Sequence, residues 1–207
     1  MEPQLEDSLG YQVPDGLPQR PKRHVLIFFN TGNPGLIEYY RHFFSHLTNQ
    51  LDGKFQDTCF HIHGDSLAGF EVNPASAQRP EPHRDSHRLR QAWMRPSRDE
   101  LPALPLTLDE QIEDVGYRLY DKVNQIRKQF ELQAEPLPVI LVGHSVGAYM
   151  TLETITAWLR DCESLDESAR SFKIISGICL FPTVVEIAKS PTGRKMAVSS
   201  QTYLFNT

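Results

Sequence analysis

Apolar residues fall along the chain in two recurring patterns. Short, nearly continuous runs occur at His24-Val25-Leu26-Ile27-Phe28-Phe29, Thr58-Cys59-Phe60-His61-Ile62, Val139-Ile140-Leu141-Val142 and within residues 172–181. Each predicts a strand covered on both faces. Between them the apolar positions take helical spacing: Tyr39, Tyr40, Phe43, Phe44, Leu47 and Leu51 in residues 36–51, then Ile112, Val115, Leu119, Val123 and Ile126 up to Phe130. Gly53 is placed to stop the first helix. Thr107 with Glu110 three residues on is a capping box for the second. Pro136-Leu137-Pro138 breaks that helix, and a further helix is expected from Val146 to about Leu159. Strands alternating with helices predict an α/β fold with a mostly parallel sheet and right-handed crossovers.

Domain organisation follows from where this pattern lapses. Residues 1–23 are polar and Pro-rich and read as a tail. Residues 24–195 carry the patterned domain, and 196–207 fit no regular element. From about 72 to 105 apolar residues thin out, and six prolines are interleaved with six arginines. Such a segment reads as an exposed insertion, and its Asp and Glu nearly cancel the arginine charge. No internal repeat is visible.

Composition narrows the function classes. A hydrophobic share of 40% in 207 residues suits one globular domain, and a net charge of −5 argues against a nucleic-acid footprint. The three cysteines, Cys59, Cys162 and Cys179, lack a metal-ligand spacing, and their odd number argues against a disulfide framework. Their apolar neighbours suggest small core residues, and no metal or cofactor is expected. Among eight histidines only His61 with His63 and His83 with His87 form local pairs. No signal-like segment or run of about 20 apolar residues occurs, so a soluble or peripheral protein is expected.

The candidate chemistry lies at Gly143-His144-Ser145-Val146-Gly147. The pattern Gly-x-Ser-x-Gly matches often by chance. Here it directly follows a buried strand and opens a helix, the setting of a nucleophile elbow. Ser145 is then the nucleophile, Gly143 and Gly147 give room for close packing, and the helix N-terminus favours a developing oxyanion. An oxyanion hole needs two backbone donors. Val146 N–H would be one, and Asn33 N–H the other, from the loop Thr31-Gly32-Asn33-Pro34-Gly35 after the first strand. Gly32 and Gly35 would let that loop approach a substrate carbonyl, and Pro34 has no N–H. Phosphate binding is disfavoured because neither Gly-x-Gly-x-x-Gly nor a Walker lysine is present. Tyr40 and Tyr149 lie near these loops, either bordering an acyl pocket or packing on a helix face. His144 is expected to pack behind the turn.

Several segments together resemble the lipid droplet-associated hydrolase family. They are residues 29–40 around Gly32-Asn33-Pro34-Gly35, Leu106–Glu113, Gly143–Tyr149, Leu180-Phe181-Pro182-Thr183 and Ser190-Pro191-Thr192-Gly193-Arg194. The resemblance implies an α/β-hydrolase fold and a serine esterase-type site at Ser145. It also implies lipid ester substrates (cholesteryl ester or triacylglycerol) and a role in neutral lipid storage. The lipid-droplet surface is the expected location, with the endoplasmic reticulum membrane second and the cytoplasm otherwise.

One departure stands against that pattern. The triad order in α/β-hydrolases is Ser, then Asp or Glu, then His, yet every histidine here, from His24 to His144, precedes Ser145. The chain is read as an incomplete version of a longer hydrolase. Losing a triad member costs a factor on the order of 10⁴ to 10⁶, so a feeble esterase is expected. The competing reading is a non-catalytic protein that uses the fold to bind a lipid-droplet or membrane surface. A third supplies the base from His61 or His63.

Overall fold

Val, Ile and Phe in unbroken runs disfavour helix and favour a pleated surface packed from both sides. The computed structural model describes residues 6–12, 23–52, 54–55, 57–73, 106–132, 135–164 and 171–180, with residues 161–164 as backbone alone. Its elements in chain order are β1 (Ser8–Gln12), β2 (Arg23–Asn30), a 3-10 turn (Ile37–Tyr40), α1 (Arg41–Leu51), β3 (Thr58–Asp65), α2 (Leu108–Gln129), β4 (Leu137–His144), α3 (Val146–Ser164) and β5 (Phe172–Leu180). The strands form one sheet in the order β1-β3-β2-β4-β5. β3, β2, β4 and β5 run parallel, and β1 is antiparallel to β3. This is an α/β fold with a mostly parallel, mixed sheet.

Alternate residues of β2 feed two separate cores. Leu26 and Phe28 pack with Val139 and Leu141 under Val115, Leu119, Val123 and Ile126 of α2 and Met150 of α3. Val25, Ile27 and Phe29 face the other way, onto Ile37 and Phe44 at the 3-10 turn and α1. Side chains such as Leu119 and Val123, at 0% exposure, each contribute about 1.5–3 kcal/mol by leaving water.

Three elements differ from the expectation. β1 lies within the segment read as a polar tail. Its Leu9 is 1% exposed, and a single buried residue in a five-residue strand leaves no apolar run to detect. The helix expected from Leu36 begins as the 3-10 turn and becomes α-helical only at Arg41. β3 continues past Ile62 to Asp65, and Gly64 within it allows close packing, since a Cβ there would meet Ile37 Cδ1 at 2.7 Å. The Thr107 capping box is present, with Glu110 N–H donating to Thr107 Oγ1 and Thr107 N–H to Glu110 Oε2. Gly53, residues 74–105 of the insertion and residues 181–207 lie outside the described residues.

For the site, the relation that matters is register. Asn30 of β2 pairs with Gly143 of β4. The loop leaving β2 and the turn leaving β4 therefore emerge side by side at the same edge of the sheet.

Candidate active site

β4 ends at His144, α3 begins at Val146, and Ser145 alone makes the turn between them. Its φ is +55°, a left-handed conformation that costs a non-glycine residue roughly 1–2 kcal/mol. Two hydrogen bonds hold it: Ser145 N–H donates to Leu180 O at 2.9 Å, and Ser145 O accepts from Ala148 N–H at 2.9 Å. The turn is thus fixed both to β5 and to the first turn of α3.

Close backbone packing explains the flanking glycines. A methyl group on Gly143 would stand 2.2 Å from Gly147 O and 2.4 Å from Thr151 Oγ1. One on Gly147 would stand 2.3 Å from Asn30 O and 2.4 Å from Thr31 O. Backbone atoms in both places cannot yield cheaply. Buried Asn30 adds a hydrogen bond from its Nδ2 to Thr151 Oγ1 at 2.8 Å, tying the end of β2 to α3.

The glycine loop reaches the elbow. A Cβ at Gly32 would lie 2.7 Å from His144 Nδ1 and 3.0 Å from Ser145 Cβ. Gly32 therefore lets the loop press against the turn itself. Gly35, at φ +85°, closes the loop by donating its N–H to Gly32 O at 2.6 Å and accepts from Leu67 N–H at 2.7 Å. Gly32 N–H is committed to Tyr40 Oη at 3.0 Å. Pro34 has no N–H, and Asn33 before it is exposed. On the elbow side, Val146 N–H is among the first of α3, and such groups have no intrahelical acceptor.

Tyr40, expected near these loops, joins the glycine loop to the elbow. Its hydroxyl accepts from Gly32 N–H and lies 2.8 Å from His144 Nδ1, while its ring packs on Phe29 at 4.6 Å. Burial pushes the Tyr40 phenol above its ordinary pKa, so it remains a proton donor at neutral pH. His144 Nδ1 is engaged with that hydroxyl, and its ring meets the Tyr40 ring edge-on at 5.7 Å. Tyr149 is exposed, its phenol also raised, first by a hydrogen bond with Glu153.

The remaining described histidines with resolved partners are occupied elsewhere. His61 Nε2 lies 2.9 Å from His24 Nδ1, and His63 Nε2 donates to Asp65 Oδ2 at 3.0 Å. His63 is in register with Phe28, which pairs with Leu141. Two strand spacings and four residues of rise then put it on the order of 15 Å from Ser145, and His61 farther still. Neither can serve as its base.

Near the same edge, Asp65 is buried against His63 and Arg118. Burial alone would raise its carboxyl pKa. The hydrogen bond from His63 and the positive charges of His63 and Arg118 outweigh that and hold it below the ordinary value. Arg118 also pairs with Asp114 at 2.7 Å and Glu71 at 3.0 Å and donates to Ser66 O at 2.8 Å. This network ties the end of β3 and the residues after it to α2. Arg118, inside a helix of mixed charge, gave no signal of it in the sequence.

A family model described as lipid-droplet associated hydrolase matches residues 23–206. The chain belongs to that family. Its relatives include proteins named lipid droplet-associated hydrolase from Pongo abelii (25% identical over 180 residues), Gallus gallus (25% over 172) and Mus musculus (27% over 180). The matches cover 83–85% of this chain and 41–42% of those relatives, so the chain spans less than half of their length. Among the described residues no helix is long and apolar enough to cross a membrane.

Proposed function

We propose that the chain carries the nucleophile and oxyanion side of a serine carboxylic-ester hydrolase of the α/β-hydrolase fold. Its substrates are neutral lipid or sterol esters, met at the periphery of a lipid droplet, and its role lies in lipid storage. Ser145 attacks the ester carbonyl, and Val146 N–H and Asn33 N–H receive the oxyanion. The observation that carries this reading is Ser145 itself: a non-glycine residue at φ +55° between a buried strand and a helix, with the Gly32 loop packed against its Cβ. Strain of that kind persists where the surroundings over-determine it, and it gathers at reactive sites. The relatives' names supply the lipid droplet; they say nothing of the endoplasmic reticulum. The experiment is fluorophosphonate labelling followed by peptide mapping. Modification of Ser145, lost in Ser145→Ala with an unchanged circular dichroism spectrum, supports the reading; a folded chain that never labels refutes it.

No histidine follows Ser145 in the 207 residues, and His24, His61, His63 and His144 have other partners. The same residues favour a second reading, a non-catalytic platform on a lipid-droplet surface. Turnover by these residues alone is then on the order of 10⁴ to 10⁶ below that of a complete triad. Droplet association that survives Ser145→Ala, together with no detectable ester turnover in the longest form of the protein, would select the platform.

A further inference from the structure

We propose that His24, Cys59 and His61 form a binding site for a thiophilic divalent cation, Zn²⁺ by its ligand chemistry, at the edge of the sheet opposite Ser145.

Strand pairing, not sequence spacing, assembles the three donors. β2 and β3 start level, so His24 is in register with Cys59 and Leu26 with His61. Alternation then puts residues 24, 59 and 61 on the face shared by Leu26 and Phe28. His61 Nε2 is the centre of the group, 2.9 Å from His24 Nδ1 and 3.7 Å from Cys59 Sγ. All three ligand atoms lie within 4.8 Å of one another.

Those separations suit a tetrahedral ion. Zn–N bonds of about 2.0–2.1 Å and a Zn–S bond of about 2.3 Å set ligand atoms about 3.3 Å (N···N) and about 3.6 Å (N···S) apart. The two histidine nitrogens would part by a few tenths of an ångström, His61 and Cys59 already stand at the N···S distance, and His24 and Cys59, within 4.8 Å of each other, would draw together. A bound cation would take a lone pair from each of the three, with the thiol proton released to solvent and each imidazole carrying its proton on the other ring nitrogen. Two imidazoles and a thiolate select zinc or copper over the oxygen-seeking Mg²⁺ and Ca²⁺.

The surroundings resemble a built site. Cys59 is 1% and His61 7% exposed, and the Phe130 ring lies 4.6 Å from that of His24 and 5.0 Å from that of His61, which fixes both imidazoles. Gln12 of β1 is in register with His61 and places its amide Nε2 3.5 Å from Cys59 Sγ. Amide orientation is assigned from such contacts; turned over, Gln12 Oε1 is a fourth donor, with water as the alternative. Gln12 is exposed and His24 partly so, leaving a path for entry. Six residues of strand separate Cys59 from Asp65, about 20 Å from the serine end, so the ion would pin β2, β3 and β1 together without touching the ester chemistry.

The test is titration of the 207-residue chain with Co²⁺ alone, followed by Zn²⁺ competition and thermal melts. One equivalent of Co²⁺ is expected to give tetrahedral d–d bands with thiolate charge transfer, and Zn²⁺ is expected to displace it and raise the melting temperature. Loss of an outer partner already weakens metal sites about 10–100-fold, so Cys59→Ser and His24→Gln should each lose at least about 100-fold in affinity, with Cys162→Ser and Cys179→Ser unchanged. Should Cys59→Ser fail to fold, His24→Gln decides, because that side chain is partly exposed. Wild-type affinity in folded His24→Gln, charge transfer that follows Cys162 or Cys179, or no saturable binding to the folded chain overturns the site.

Discussion

Tyr40 and His144, 104 residues apart, meet at 2.8 Å between Oη and Nδ1. The phenol oxygen also accepts from Gly32 N–H, so the one hydroxyl touches both the loop and the imidazole. One side chain from the 3-10 turn thereby clamps the glycine loop onto the elbow. Tyr40→Phe keeps the ring packing and deletes both bonds. Its unfolding free energy should fall by about 1–2 kcal/mol, the cost of leaving a part-buried N–H without an acceptor. Fluorophosphonate labelling of Ser145 should slow by more than the loss of folded protein explains. Labelling at the wild-type rate would remove the clamp from the site.

Gly147 has no room for a side chain, whereas Gly10 has it. A methyl at 147 meets two carbonyl oxygens of β2 and its loop at 2.3 and 2.4 Å, and the nearest atom to a Cβ at Gly10 is 4.0 Å away. Gly147→Ala is expected to destabilise the chain by about 3 kcal/mol, at the upper end for overpacking, with Gly10→Ala within about 1 kcal/mol of wild type. Urea denaturation of the two variants makes the comparison; equal midpoints would mean that α3 does not sit against β2 as described.

How much of this could be read from residues alone depended on range. The four parallel strands, the helix with its Thr107–Glu110 box and the elbow at Ser145 are signalled by neighbours within one turn or one strand. In the sequence Gly32 and Gly35 read as letting the loop approach a substrate carbonyl, with no contact to the elbow itself specified. The space at Gly32 is taken by His144 and Ser145. Contacts that join distant segments left no mark: Tyr40 with His144, Arg118 with Asp65, His24 with Cys59 and His61. Each depends on strand order and register, which local patterning does not specify. β1 escaped for another reason, since its one buried side chain, Leu9, makes no period.

Ser145 holds a conformation that glycine adopts freely. At φ +55° its Cβ costs roughly 1–2 kcal/mol, and its side chain makes no large apolar contact to offset that. Ser145→Gly should therefore raise the unfolding free energy by about 1 kcal/mol while abolishing fluorophosphonate labelling. Such opposition between stability and reactivity marks a strained functional residue. Thermal or urea denaturation beside Ser145→Ala, which keeps the Cβ, isolates the backbone effect. A glycine variant less stable than the alanine one would show that the turn is not strained.

Asp65 gives the fold a defined response to acid. Its carboxyl is held below the ordinary aspartate value: burial opposes ionisation, and the His63 hydrogen bond with the charges of His63 and Arg118 more than compensates. A group with a depressed folded pKa stabilises the native state above its unfolded pKa, about 3.9 for aspartate. That contribution is lost as pH falls through the folded value. Asp65→Asn removes the charge at every pH and leaves buried Arg118 with Asp114 and Glu71 as its remaining acidic partners. The variant should be less stable than wild type at pH 7, and the gap should narrow as pH drops below about 4, where the unfolded carboxylate takes up its proton ahead of the native one. Urea unfolding at pH 7, 5 and 3.5 measures it. A gap that stays constant, or widens, on acidification would mean that Asp65 is not ionised in the native protein.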